Sequence, residues 1–166
     1  MKDKNRCVTE SPLEMFFSAE LDIINIDKIL DSNKHQEKYS FAEICYKASQ
    51  ATEKYLKGYL VKDRDDILKS HDLEYLWKEV VIKDKEFDNI KKDCYKLNNY
   101  TATIRYGSQT HVERHEVVDV LKSLNTIQNL FPIKEMRKLL KQSDDEYRML
   151  PDIDINNIID TFTGKV

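Results

Sequence analysis

From Ser11 to Phe131 the apolar residues recur at intervals of three and four, the spacing that gathers side chains onto one face of an α-helix. The first such series follows Ser11-Pro12, a capping residue ahead of a proline whose missing N–H is harmless in a first turn, and predicts a helix to about Leu30. Its Leu13, Phe16, Phe17, Leu21, Ile23, Ile24 and Leu30 form a stripe broad enough for two neighbours. A polar connection over residues 31–38 leads to the second series, Phe41, Ile44, Cys45, Ala48, Ala51, Tyr55, Leu56 and Tyr59, which predicts a helix ending near Lys62. After a loop at residues 63–66, Ser70 as N-cap predicts a short helix carrying Leu73, Leu76, Trp77 and Val80. Phe87, Ile90, Cys94, Leu97, Thr101 and Ile104 then follow a heptad-like rhythm and predict a third long helix. Thr110 and Glu113 have the form of a capping box for a fourth, with Val117, Val120, Leu121, Leu124, Ile127 and Phe131 inside and Pro132 at its end.

Four long helices on short connections predict an all-α, up-and-down four-helix bundle, with the short extra helix between the second and third long ones. Residues 11–131 are expected to form this bundle. Residues 132–166 are expected to be a C-terminal helical extension, partly helical or loosely ordered, in which Lys134, Arg137, Lys138 and Lys141 mark a short basic helix.

Composition narrows the class further. Three glycines and three prolines in 166 residues leave few turns, and 34% charged residues suit long amphipathic helices. No apolar run approaches the roughly 18 residues of a membrane span, and Met1-Lys2-Asp3-Lys4-Asn5-Arg6 leads into no signal-type segment, so a cytoplasmic protein without membrane association is expected. The net charge of -3 excludes a generally basic, nucleic-acid-coating surface, so any RNA contact must be focused. Cys7, Cys45 and Cys94 are odd in number and far apart, which argues against a disulfide framework or a zinc site.

Reactive side chains concentrate between Asn98 and His115. Arg105 and His111 stand with five residues between them, Tyr106 follows the arginine, and His115 lies one helical turn beyond His111. An arginine can hold a phosphate bidentately and stabilise charge developing on it, while a neutral histidine can accept the proton of a ribose 2′-hydroxyl; that chemistry needs neither metal nor cofactor. The plainer readings are a helix cap or an ion pair with Glu53 for Arg105, an exposed first-turn residue for His111, and a core plug for Tyr106. The string His111-Val112-Glu113-Arg114-His115 is not the zincin motif, because its glutamate stands second after the first histidine rather than directly after it, and no third ligand is evident. Outside this stretch, Lys54, Lys57 and His71 are candidates for the same cleft, against solvated or packing roles.

Three ordered segments resemble the HEPN family (higher eukaryotes and prokaryotes nucleotide-binding domain). Gln50, Ala51, Glu53, Lys54, Leu56 and Lys57 match its second helix. Ser70-His71-Asp72-Leu73-Glu74-Tyr75-Leu76 is similar to the next segment, and Tyr100 with Ile104-Arg105-Tyr106 resembles the arginine–tyrosine signature closing its third long helix. The resemblance implies a small helical bundle, commonly a homodimer, that binds nucleotides or RNA or partners a minimal nucleotidyltransferase, as in toxin–antitoxin pairs. In ribonuclease-type members, of toxin or defence type, an arginine followed by four to six residues and a histidine cuts RNA without a metal; Arg105 and His111 fit that spacing. The likeness then implies catalytic roles for these two and nucleotide or RNA contacts for Tyr106, Lys54, Lys57, His71 and His115. Such members carry asparagine after the arginine. Here Tyr106-Gly107-Ser108 follows instead and predicts a break in the helix.

Overall fold

A computed structural model describes residues 11–32, 37–61, 69–101 and 111–164, and among these the chain is helical without strands. The elements in order are α1 (Pro12–Ser32), α2 (Glu37–Val61), α3 (Leu73–Lys83), a 3-10 segment Lys85–Ile90 running into α4 (Lys91–Asn98), α5 (Arg114–Gln128), α6 (Ile133–Ser143), α7 (Asp145–Arg148) and α8 (Ile155–Thr163).

The helix α2 is the hub. It packs along α1 and also touches α3, α4 and α5, while α5 carries α8 on its other side. Its stripe explains why: Ile44, Cys45, Ala48, Ala51, Tyr55 and Leu56 are buried. At Gly58 an added Cβ would meet Met15 Cβ at 3.3 Å and the Pro12 carbonyl at 3.4 Å, so the start of α1 crosses α2 in close approach at this glycine. The predicted interior of α5 is buried in full, with Val117, Val120, Leu121, Leu124, Ile127 and Phe131 all inside.

Caps fix the helix starts, and two of them differ from the sequence expectation. Ser11 does cap α1: its Oγ accepts from Glu14 N–H at 3.2 Å, and Glu14 returns to Ser11 N–H at 2.9 Å. For α3 the cap is Asp72 rather than Ser70. Its carboxylate accepts from both Glu74 and Tyr75 N–H, whereas Ser70 Oγ accepts from Asp72 N–H and shapes the approach. An ionised acceptor facing two free amides is the stronger cap. At α5 the box lies one turn further on than Thr110 and Glu113 suggest: Glu113 is itself the cap residue, and Glu116 Oε2 accepts from its N–H at 2.8 Å. Thr110 lies outside the described residues.

The third member of the bundle begins as a 3-10 segment capped by Asp84 and becomes α-helical only at Lys91. Phe87, Ile90, Cys94 and Leu97 nevertheless point inward as their spacing demands. After Asn98 the chain turns, and Ile104 lies outside the described residues.

Residues 133–163 share the same core. Leu140, Tyr147, Ile155, Ile158, Ile159 and Phe162 are buried with the bundle residues in one cluster. Phe162 meets Phe41 edge to face at 5.7 Å and lies under the Arg114 guanidinium at 4.1 Å. A buried polar knot adds to this. The Glu20 carboxylate, 1% exposed, accepts from Tyr55 Oη at 2.7 Å, Arg137 Nε at 2.8 Å and Tyr147 Oη at 3.3 Å, and Gln128 Nε2 donates to Tyr55 Oη at 2.9 Å. One acid thereby joins α1, α2, α5, α6 and α7. Burial, then the Glu20 charge, holds the Tyr55 phenol well above its ordinary value.

Candidate functional site

On α2, Glu53 and Lys57 lie one turn apart, both largely buried, and Lys57 Nζ contacts Glu53 Oε1 at 2.7 Å. Lys57 is only 6% exposed, so its ammonium depends on that carboxylate for compensation. The same Oε1 meets His71 Nδ1 at 2.8 Å, just ahead of the α3 cap. With Nδ1–H directed at Glu53, the neutral tautomer carries its lone pair on Nε2, and about half of the His71 side chain is in solvent. Asn98 at the end of α4 locks the neighbourhood: its Oδ1 accepts from Leu73 N–H at 2.9 Å and its Nδ2 donates to Asp72 at 3.1 Å. The Glu53–Lys57–His71 triad is therefore held where α2, α3 and α4 meet.

Lys54 does not join it. Its ammonium turns to Asp22 on α1 at 2.5 Å, with Lys47 at 3.8 Å on the other carboxylate oxygen. Burial raises the Asp22 carboxyl above its ordinary value of 3.8, outweighing both lysines, since the carboxylate loses more hydration than the partly exposed ammonium groups restore.

At the other end of the stretch, His111 and His115 are both exposed near the N-terminus of α5. His111 Nε2 lies 3.4 Å from Glu113 Oε1. The buried Val112 between them anchors the segment, and Arg114 turns away to donate to the Phe162 carbonyl. Tyr100, in the turn after α4, donates to Glu116 Oε1 at 3.1 Å, so the two ends of the stretch are tied together. Arg105, Tyr106 and Gly107 lie outside the described residues. Among the described residues no group of three or more His, Cys, Asp or Glu side chains could hold a metal ion.

The sequence profile of the HEPN domain matches residues 26–147, which run from the middle of α1 into α7. The chain belongs to the HEPN domain family. No curated protein and no solved structure matches it. In HEPN terms the matched span contains the whole 98–115 stretch as well as Glu53, Lys57 and His71, so every candidate residue falls inside the family region. It also takes in α6, whose Leu140 is buried in the same cluster as the bundle residues. Family membership supports a nucleotide- or RNA-related function in general. Among the described residues no helix is long and apolar enough to cross a membrane.

What the residue pattern did not disclose is the Glu20 knot and the Glu53–Lys57–His71 triad. A signal for the first was present: Glu20 sits among Phe16, Phe17, Ala19, Ile23 and Ile24, and an acid inside a broad apolar stripe must find donors when the stripe is buried. For the triad, Lys57 and His71 were already candidates, but nothing in the spacing pointed to Glu53 as the carboxylate they share.

Proposed function

We propose that this HEPN protein is an RNA-directed, metal-independent endoribonuclease of the arginine–tyrosine form, acting in the cytoplasm as a homodimer. The observation that carries the proposal is the placement of His111, exposed at the entry to α5 and at the family spacing from Arg105 within the matched region. In this mechanism the His111 imidazole takes the 2′-hydroxyl proton and the 2′-oxygen attacks the adjacent phosphorus. The 5′-oxygen leaves with a proton drawn from solvent water, giving a 2′,3′-cyclic phosphate and a 5′-hydroxyl. Arg105 neutralises the charge gathering on the phosphoryl oxygens, and Tyr106 stacks on a neighbouring base.

His71, about half exposed with Glu53 behind it, and the exposed His115 complete the RNA contacts in this reading. Incubating the purified protein with RNA in excess chelator tests it: cleavage with cyclic phosphate ends is expected. Absence of cleavage together with co-elution with a minimal nucleotidyltransferase would replace the ribonuclease by a non-catalytic partner module.

A further inference from the structure

The C-terminal helices carry a second cationic feature, away from the 98–115 stretch. Lys134, Arg137, Lys138 and Lys141 share one face of α6, and with Arg148 from α7 they line an open cleft of about 580 Å³ in which Asp152 is the acidic lining residue among the described residues. Three of the five cations are fixed. Arg137 donates to Glu20 and, through Nη2, to the Ile153 carbonyl at 2.8 Å. Lys141 meets Asp152 at 2.7 Å. Arg148 donates to the Lys141 carbonyl at 2.9 Å and lies 3.2 Å from Asp145. Lys134 and Lys138 are exposed, one helical turn apart, and without a hydrogen-bonding or ionic partner among the described residues. Two uncompensated positive charges thus sit beside a rigid rim of guanidinium groups, on a chain whose net charge is -3.

From this arrangement we infer that the α6–α7 cleft is a phosphate-backbone dock for single-stranded RNA, with Lys134 and Lys138 each taking one phosphate. The inference rests on the RNA-directed reading of the family site and adds where the rest of the strand is held. Among the described residues no aromatic side chain lines the cleft, so bases are not stacked there and the contact is independent of sequence. An acidic peptide is the less suitable occupant, because such partners are anchored by apolar side chains and no apolar residue among the described ones lines the cleft.

Fluorescence anisotropy with a labelled single-stranded RNA oligomer tests the dock on the full-length protein. In the K134A/K138A double variant the affinity is expected to fall about tenfold at roughly 0.15 M salt, and the slope of log affinity against log salt to shrink by about 1.4, two phosphates at about 0.7 each. K134R/K138R should retain both. Unaltered affinity and slope in K134A/K138A would overturn the dock while leaving the family site standing; wild-type protein with no RNA affinity would overturn both. Polyglutamate bound more tightly than RNA, and released by the same double variant, would reassign the cleft to an acidic protein partner. Absence of RNA cleavage with RNA binding still lost in the variant would support the dock and count against the ribonuclease alone.

Discussion

Replacing Arg137 by methionine isolates the knot that ties α6 and α7 to the bundle. The Arg137 side chain is 16% exposed and Glu20 only 2%, so removing the guanidinium leaves a buried carboxylate with three neutral donors, Tyr55, Gln128 and Tyr147, and no compensating charge. Breaking a buried pair from one side costs about 3 kcal/mol or more. At roughly 2–4 °C per kcal/mol for a chain of this length, Tm should fall by about 6–12 °C. The double variant E20Q/R137M keeps the packing and lets the amide carbonyl accept from the tyrosines. It should be less destabilised than the sum of the single variants, with a coupling of about 2 kcal/mol. Thermal and urea unfolding of the four proteins, followed by circular dichroism at neutral pH, provides the cycle. A drop below about 2 °C for R137M, or additive single effects, would refute the claim that one buried ion pair holds the C-terminal helices to the core.

Asp22 supplies a pH dependence whose sign follows from burial. Because its folded value lies above the ordinary 3.8, its contribution to stability is fully present below that value and is lost as pH rises through the folded one; the stability of wild type relative to Asp22→Asn should therefore decline as pH rises above 3.8, and a rising difference in urea titrations would contradict this. Glu53→Gln leaves the Lys57 ammonium buried without its anion and should cost about 3 kcal/mol, whereas the additional change Lys57→Met should restore most of it; equal unfolding midpoints for the two variants would show that Lys57 escapes to solvent. Burial pushes the thiols of Cys45 and Cys94 up to about 12, so iodoacetamide should leave both unmodified in the native protein at pH 8, read by peptide mass mapping.

Periodicity made the bundle legible because burial selects it directly. Ile44, Leu56, Leu121 and Leu124 had no alternative face, and the same logic recovered Phe87 to Leu97 even though their helix begins as a 3-10 turn. Caps were less legible. Ser70, Asp72, Thr110 and Glu113 are all competent acceptors, and the choice among them depends on where the backbone turns. The packing of α8 was also hidden, since Ile155, Ile158, Ile159 and Phe162 form too short a stripe to announce a docking site until α5 supplies one. At the candidate site, the spacing of Arg105 and His111 could be read in sequence, but the sharing of Glu53 between Lys57 and His71 depends on residues 18 apart in the chain meeting in space.

The central claim concerns Arg105 and His111, and RNA cleavage by wild type, Arg105→Ala and His111→Ala in the presence of a chelator tests it most directly. Wild type should cut and leave 2′,3′-cyclic phosphate ends, and each variant should lose about a hundredfold or more in rate while keeping its unfolding transition. Undiminished cleavage by both variants, or cleavage that stops when the chelator is added, would contradict it.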